Sequence, residues 1–180
     1  MVQANLETER LIVRKMELQD AETLYHYWSD PLVTKFMNIT PFTNVAQAED
    51  MIQLINGMSL EGRANRFSIV VKETNEVIGT CGFNTIDEEN SRAEIGYDLG
   101  RAHWGKGFAA EAVKTLVRHG FLDMGLNRIE AKVEPENKDS IKLLGRLSFQ
   151  KEGLLREYEK AKGVFIDVYM FSLLKREFRI

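Results

Sequence analysis

Cysteine is almost missing from this chain: among 180 residues only Cys81 carries a thiol. One thiol excludes an internal disulfide and a multi-cysteine zinc site. It falls in the strand-like run 77–83, where a small buried side chain is expected. Histidine is scarce too. His26, His103 and His119 lie far apart without the spacing of metal ligands, so no metal is expected. Long apolar runs are lacking. Nothing approaches membrane-spanning length and no secretory-type core opens the sequence, so a cytoplasmic protein with no membrane partner is expected. An excess of positive charge is also absent. The formal net charge of −3 leaves no whole-surface basic field for nucleic acid. A polyanion could use only a local patch, for which Arg101, Lys106, Lys114, Arg118, Lys142 and Arg146 are candidates. Repeats, linkers and low-complexity tracts are missing, and the length suits one α/β domain over residues 1–180.

What is present is organised around residues 91–120. Ala93, Ile95, Tyr97 and Leu99 alternate with Arg92, Glu94, Gly96 and Asp98, the pattern of a strand. Ala109, Ala112, Val113, Leu116, Val117 and Gly120 then recur at three- and four-residue steps, the stripe of an amphipathic helix. Gly105-Lys106-Gly107 joins the two. Strand, glycine turn and helix start make a phosphate cradle, because backbone N–H groups are free there and the helix dipole is positive.

Three motifs compete for this cradle. Residues 100–106 fit G-x-x-x-x-G-K, but Gly107 stands where a Ser or Thr must hold Mg²⁺. Gly105-x-Gly107-x-x-Ala110 fits the dinucleotide fingerprint with Glu130 downstream, yet too few βα units follow. A coenzyme A diphosphate needs only the amides. The run Trp104-Gly105-Lys106-Gly107-Phe108-Ala109-Ala110-Glu111-Ala112 resembles the acyl-CoA signature of the GNAT N-acetyltransferase superfamily. LETERLIVRKMELQDAETLYHYWSDP, AEIGYDL, NRIEAKVEPENKDSIKLLGRLSF and the SLLKRE near the end resemble its RimJ/RimL-type branch, which acetylates ribosomal-protein N-termini.

The remaining periodicities predict a strand over 10–14, a helix capped by Asp20 through Trp28, and a helix from Val45 to Gly62. They also predict strands at 67–72 and 76–83, a polar loop at 84–90 and a strand at 127–133. A helix bearing Ile141, Leu144 and Leu147 follows, and a closing antiparallel pair at 149–156 and 165–175. The resemblance implies a mixed, mostly antiparallel sheet whose central parallel pair splays at the acetyl-CoA site, flanked by about four helices. Trp28, Phe36 and Phe42 are expected to line an acceptor wall made by the first two helices and their connection.

On that resemblance, backbone amides near Gly105, Lys106, Gly107, Phe108, Ala109 and Ala110 hold the diphosphate, next to Trp104. The stretch Gly96, Tyr97, Asp98, Leu99 pairs with the pantetheine arm, and one of its N–H groups faces the thioester carbonyl. Asn137 binds the pantetheine amides or caps its helix. Acetyl transfer further requires removal of a proton from the amine, assigned to Glu94 with Asp167 as second choice. It also requires a proton for the departing thiolate. The superfamily's N-x-x-A-x-x-x-Y places its tyrosine at Leu144 here, which cannot donate, so Ser140 is the expected acid with Tyr169 as fallback. Two further departures are Ala102, three before Gly105, and Leu147-Ser148-Phe149 where Leu-Gly-Phe is usual. The resemblance implies an acetyl-CoA-dependent N-acetyltransferase using direct attack, with a protein N-terminal α-amine as acceptor and a possible homodimer. A small amine is the alternative acceptor, and a non-catalytic acyl-CoA-binding module the alternative class.

Overall fold

The computed structural model describes residues 5–179; the outermost residues of the expected 1–180 domain lie outside them. Two edge-side strands, β1 (Leu6–Glu7) and β2 (Leu11–Lys15), precede α1 (Ala21–Trp28) and α2 (Val45–Leu60). Next come β3 (Asn65–Val71), β4 (Glu76–Asp87), β5 (Arg92–Leu99), α3 (Phe108–Leu122) and β6 (Arg128–Val133). The chain finishes with α4 (Lys138–Arg146), β7 (Gln150–Ala161) and β8 (Val164–Leu174). The strands form one sheet in the order β1-β2-β3-β4-β5-β6-β8-β7, in which β5 and β6 are the parallel pair.

Each face of the sheet has its own core. Ala112, Val113, Leu116, Val117 and Phe121 of α3 pack with Phe83, Ile95 and Ile129 on one side. Leu24 and Trp28 of α1 pack with Ile52 of α2 on the other. Neighbours such as Ile69 and Val70, or Val77 and Ile78, belong to opposite cores, which is why these central strands read as continuous apolar runs. Cys81 is fully buried there, and burial pushes its thiol up to about 12.

The break in the sheet follows from the pairing. β5 meets β6 only at Arg92↔Arg128, Ala93↔Ile129 and Glu94↔Glu130. Beyond that, β5 stays with β4 up to Leu99↔Gly79, and β6 stays with β8 up to Val133↔Tyr169. The two strands part, leaving a gap with open backbone on both sides.

Three local expectations change. The polar stretch 84–90 is strand as far as Asp87, because a bulge between Phe83 and Thr85 interrupts the alternation. β7 runs on to Ala161 through an irregularity between Leu155 and Glu159. Asp20 does not cap α1 with its side chain. Its carboxylate turns into the sheet, where it binds Arg14 at 2.7 Å and accepts from Ser68 at 2.7 Å. Burial pushes Asp20 up, but these bonds win and hold it below the usual carboxylate range.

Candidate active site

The cradle begins where β5 ends. The Trp104 indole donates to Leu99 O at 2.8 Å, tying the connecting loop back to the strand. Gly105 and Gly107 have φ of +72° and +81°, a conformation that Cβ-bearing residues resist. A Cβ at Gly105 would meet nothing within 4 Å, so this surface faces open space. No side chain caps α3. Its first intrahelical bond is Glu111 N–H to Gly107 O, so the amides of Phe108, Ala109 and Ala110 project from the helix end with its positive dipole.

Glu111, a residue to which the sequence assigned no role, fixes this end in place. It accepts from Arg10 N–H at 3.0 Å and pairs with the Arg10 guanidinium at 2.6 Å. The same guanidinium donates to Lys106 O and lies 4.5 Å from the centre of the Phe108 ring. Burial pushes Glu111 up; the bonds from Thr8 and Arg10 outweigh it and hold the carboxyl below its ordinary range.

Backbone direction decides which part of β5 faces the gap. Ser91 O accepts from Asn127 and Arg128 on the β6 side, whereas Gly100 N–H donates to Ile78 on the β4 side. Strand alternation between these points turns Ile95, Tyr97 and Leu99 toward the gap. Gly96 and Asp98 turn theirs to Gly82 and Thr80 of β4. The backbone of the expected stretch 96–99 is therefore open only at Tyr97 and at the Leu99 N–H, since Leu99 O is taken by Trp104, and Ile95 joins them. The Asp98 side chain is buried and engaged by Arg66 at 2.7 Å and the Trp28 indole at 3.1 Å. A Cβ at Gly96 would lie 2.6 Å from the side-chain amide of the exposed Asn84, which would have to move aside.

A cleft of about 580 Å³ opens from the gap between α1–α2 and the β7–β8 hairpin. Trp28, Phe36, Met51, Glu94, Asn137 and Ser140 are among its walls. Phe42 sits behind the wall, edge-on to Trp28 with ring centres 5.8 Å apart. Glu94 is not a free carboxylate. Lys132 lies 3.0 Å from its Oε2, and Asn84 donates to its Oε1 at 3.4 Å. Lys132 also binds Glu159. Burial depresses the Lys132 ammonium, but the two carboxylates outweigh this and hold it above lysine's ordinary range.

Asn137 caps α4, accepting from Ser140 N–H at 3.2 Å. The Ser140 hydroxyl lies 2.7 Å from the Tyr97 hydroxyl. Burial raises the Tyr97 phenol, and the Ser140 bond opposes the rise. The second-choice residues stand elsewhere. Asp167 accepts from Glu157 N–H at 2.7 Å and holds the irregular part of β7. Tyr169 lies edge-on to Phe171, with the Lys151 ammonium 4.2 Å from its ring centre. Of the basic candidates, Arg101 is paired with Asp30 at 2.8 Å. Lys114 and Arg146 line a separate hollow of about 210 Å³ near the end of α4. Among the described residues no group of three or more His, Cys, Asp and Glu could hold a metal ion.

A bare helix start beside a parted parallel strand pair, with a polar cleft at the other end of the gap, is the arrangement of an acyl-group transferase. Residues 10–150 match the acetyltransferase (GNAT) domain family, and the chain belongs to that family. It is 76% identical over 173 residues to the uncharacterised N-acetyltransferase p20 of Bacillus licheniformis, covering 96% of this chain and 97% of that protein. It is 29% identical to the [ribosomal protein uS5]-alanine N-acetyltransferase of Escherichia coli, over 93% and 89% of the two chains. Among solved structures it resembles the microcin C7 self-immunity acetyltransferase MccE in complex with acetyl-CoA and AMP. There the TM-score is 0.84 and the identity 27%, with 93% of each chain covered.

Proposed function

We propose that this enzyme transfers the acetyl group of acetyl-CoA to a protein N-terminal α-amine, by direct attack with both substrates bound. The residues present suit the donor. The amides of Phe108, Ala109 and Ala110 offer a diphosphate unpaired donors at a positive helix end. The backbone of Ile95 and Tyr97 offers the pantetheine arm a strand to pair with. An N–H of this stretch aimed at the thioester carbonyl stabilises the negative charge that develops there, an effect worth about 3–4 kcal/mol for one donor. Cys81 takes no part as a nucleophile, being fully buried.

The observation that carries the acceptor class is the clamping of Glu94 by Lys132 and Asn84. One carboxylate held by Lys132 and Asn84 has less to remove from an amine already partly neutral near pH 8, as α-amines are, than from a lysine ammonium at about 10.4. In this reading Glu94 takes the amine proton directly or through water, and Ser140 protonates the leaving sulfur. The similarity to the uS5-alanine enzyme supports the same acceptor class.

A small-molecule amine is the second reading, favoured by the closure of the cleft. Lys162 Nζ donates to Thr34 O at 2.6 Å and Lys35 O at 3.1 Å, clasping the β7–β8 hairpin to the loop after α1. The cleft's volume also lies within the roughly 300–1,000 Å³ of small-ligand sites. Thiol release and product mass, measured with acetyl-CoA against peptides bearing ribosomal-protein N-termini, internally lysine-bearing blocked peptides, polyamines and amino sugars, test the two. Acetylation confined to free peptide N-termini supports the first reading. Turnover of small amines alone replaces it, and loss of turnover in Glu94→Gln with unchanged acetyl-CoA binding supports the role of Glu94.

A further inference from the structure

We propose that Tyr97 is the positioning and proton-supplying partner of Ser140, so that a pair of hydroxyls rather than one serine delivers the proton to the departing sulfur. The inference rests on the reading of Ser140 as the acid. Three observations lead to it. The two hydroxyl oxygens are 2.7 Å apart although 43 residues separate them in the chain. Both residues line the cleft at the point where β5 leaves β6. Leu144, where the superfamily's helix tyrosine is expected, is fully buried in the core and offers no proton. The fold thus brings a phenol to the first turn of α4 from the facing strand.

The chemistry requires such a partner. An aliphatic alkoxide is a far stronger base than a thiolate, so a lone serine that gave up its proton would be left in an unfavourable state. A phenol, ordinarily near 10 and raised here at Tyr97 by burial, still lies far nearer to a thiol near 8.5 than an aliphatic hydroxyl does, so transfer by way of Tyr97 leaves the smaller imbalance. Phenol is also the stronger acid of the pair, so Tyr97 donates to Ser140 Oγ and turns the serine's own hydrogen toward the cleft. As the C–S bond breaks and the C–N bond forms, Ser140 gives its proton to sulfur and takes the proton of Tyr97. Tyr97 regains one from water, while the proton lost by the acceptor nitrogen leaves by way of Glu94. Protons balance, and nothing is oxidised or reduced.

Steady-state kinetics of Tyr97→Phe, Ser140→Ala and the double variant provide the test, with a coenzyme A thermal-shift measurement showing that each variant keeps its donor site. A positioned acid typically contributes about 10²–10⁴-fold. Tyr97→Phe is therefore expected to lower kcat at least 10-fold with the KM for acetyl-CoA within twofold. The double variant is expected to be no slower than Ser140→Ala, because the two hydroxyls act as one unit. Unchanged kcat in Tyr97→Phe beside a slow Ser140→Ala overturns the relay and leaves the serine reading standing. Unchanged kcat in Ser140→Ala overturns the serine reading and the relay with it. Losses that multiply in the double variant also overturn the relay.

Discussion

The beginnings of α2 and α3 solve the same problem in opposite ways. Asn44 caps α2 by accepting from Gln47 N–H at 3.2 Å, while the Gln47 side chain returns to the Asn44 and Thr43 amides at 3.3 and 2.7 Å. The amides of Thr43, Asn44 and Gln47 thus all have side-chain partners at that end. At α3 the capping position is Gly107, left-handed and without a side chain, and the helix amides point outward. The first end is arranged for stability. The second gives up a cap worth about 1 kcal/mol so that something outside the protein can supply it. Around it, Arg10 and Glu111 fix the backbone without covering the amides.

Substitutions can sharpen or break this contrast. Asp20→Ala, at the start of α1, has the largest expected effect on stability. It leaves Arg14 with only the more distant Glu17 carboxylate at 4.0 Å and strips the buried Ser68 hydroxyl of its acceptor, and loss of one partner of a buried pair costs about 3–5 kcal/mol. Because the folded Asp20 carboxyl is held below its unfolded value, its contribution is complete above about pH 3.9 and is lost as pH falls through the lower folded value. Acid denaturation of the variant and the parent should therefore converge at low pH. A melt unchanged at pH 7 would show that this end does not depend on the pair.

Gly107→Val is next, and its main effect should fall on binding. A β-branched residue at φ +81° costs roughly 1–2 kcal/mol of strain. Displacing one amide from the diphosphate forfeits about 1.5–3 kcal/mol, a rise of about 10–100-fold in the KM for acetyl-CoA. An unchanged KM would remove α3's start from the donor site. Asn44→Ala should show the converse: about 1 kcal/mol less stability in denaturant titration, with every kinetic constant kept. The smallest effect is expected at the far end of α4. Ser148 is left-handed there, at φ +66°, where the resemblance had a glycine. Ser148→Gly should stabilise the fold by about 0.5–1 kcal/mol, the left-handed penalty less the entropy that glycine adds to the unfolded chain.

The same contrast marks what could be read from the sequence. Gly105 and Gly107 are legible because a cradle made of backbone needs particular glycines in a particular order. The stripe of Ala112, Val113, Leu116 and Val117 is legible because one helix face meets one core. Partners distant in sequence were not. Nothing in the alternation of β6 marks Lys132 as the residue that bridges Glu94 and Glu159, and Tyr97 was expected to act only through its backbone in the 96–99 stretch, not through a hydroxyl beside Ser140. Asp20 looked like a cap because its type and place fit one; its ion pair with Arg14 prevailed. The extension of β4 to Asp87 was hidden because a bulge reverses the alternation on which the reading depends.

The three-register seam between β5 and β6 also bears on the order of folding. β3, β4 and β5 close on one another through short turns, a fast and local process. β6, β8 and β7 form a second antiparallel group from the C-terminal part of the chain. The gap has only one wall until that second group docks. During synthesis, then, the donor site comes into existence last, and acetyl-CoA stabilises the docked state without assisting the steps before it. Hydrogen exchange should accordingly reveal two cooperative units, with ligand protection gained chiefly at the boundary between them.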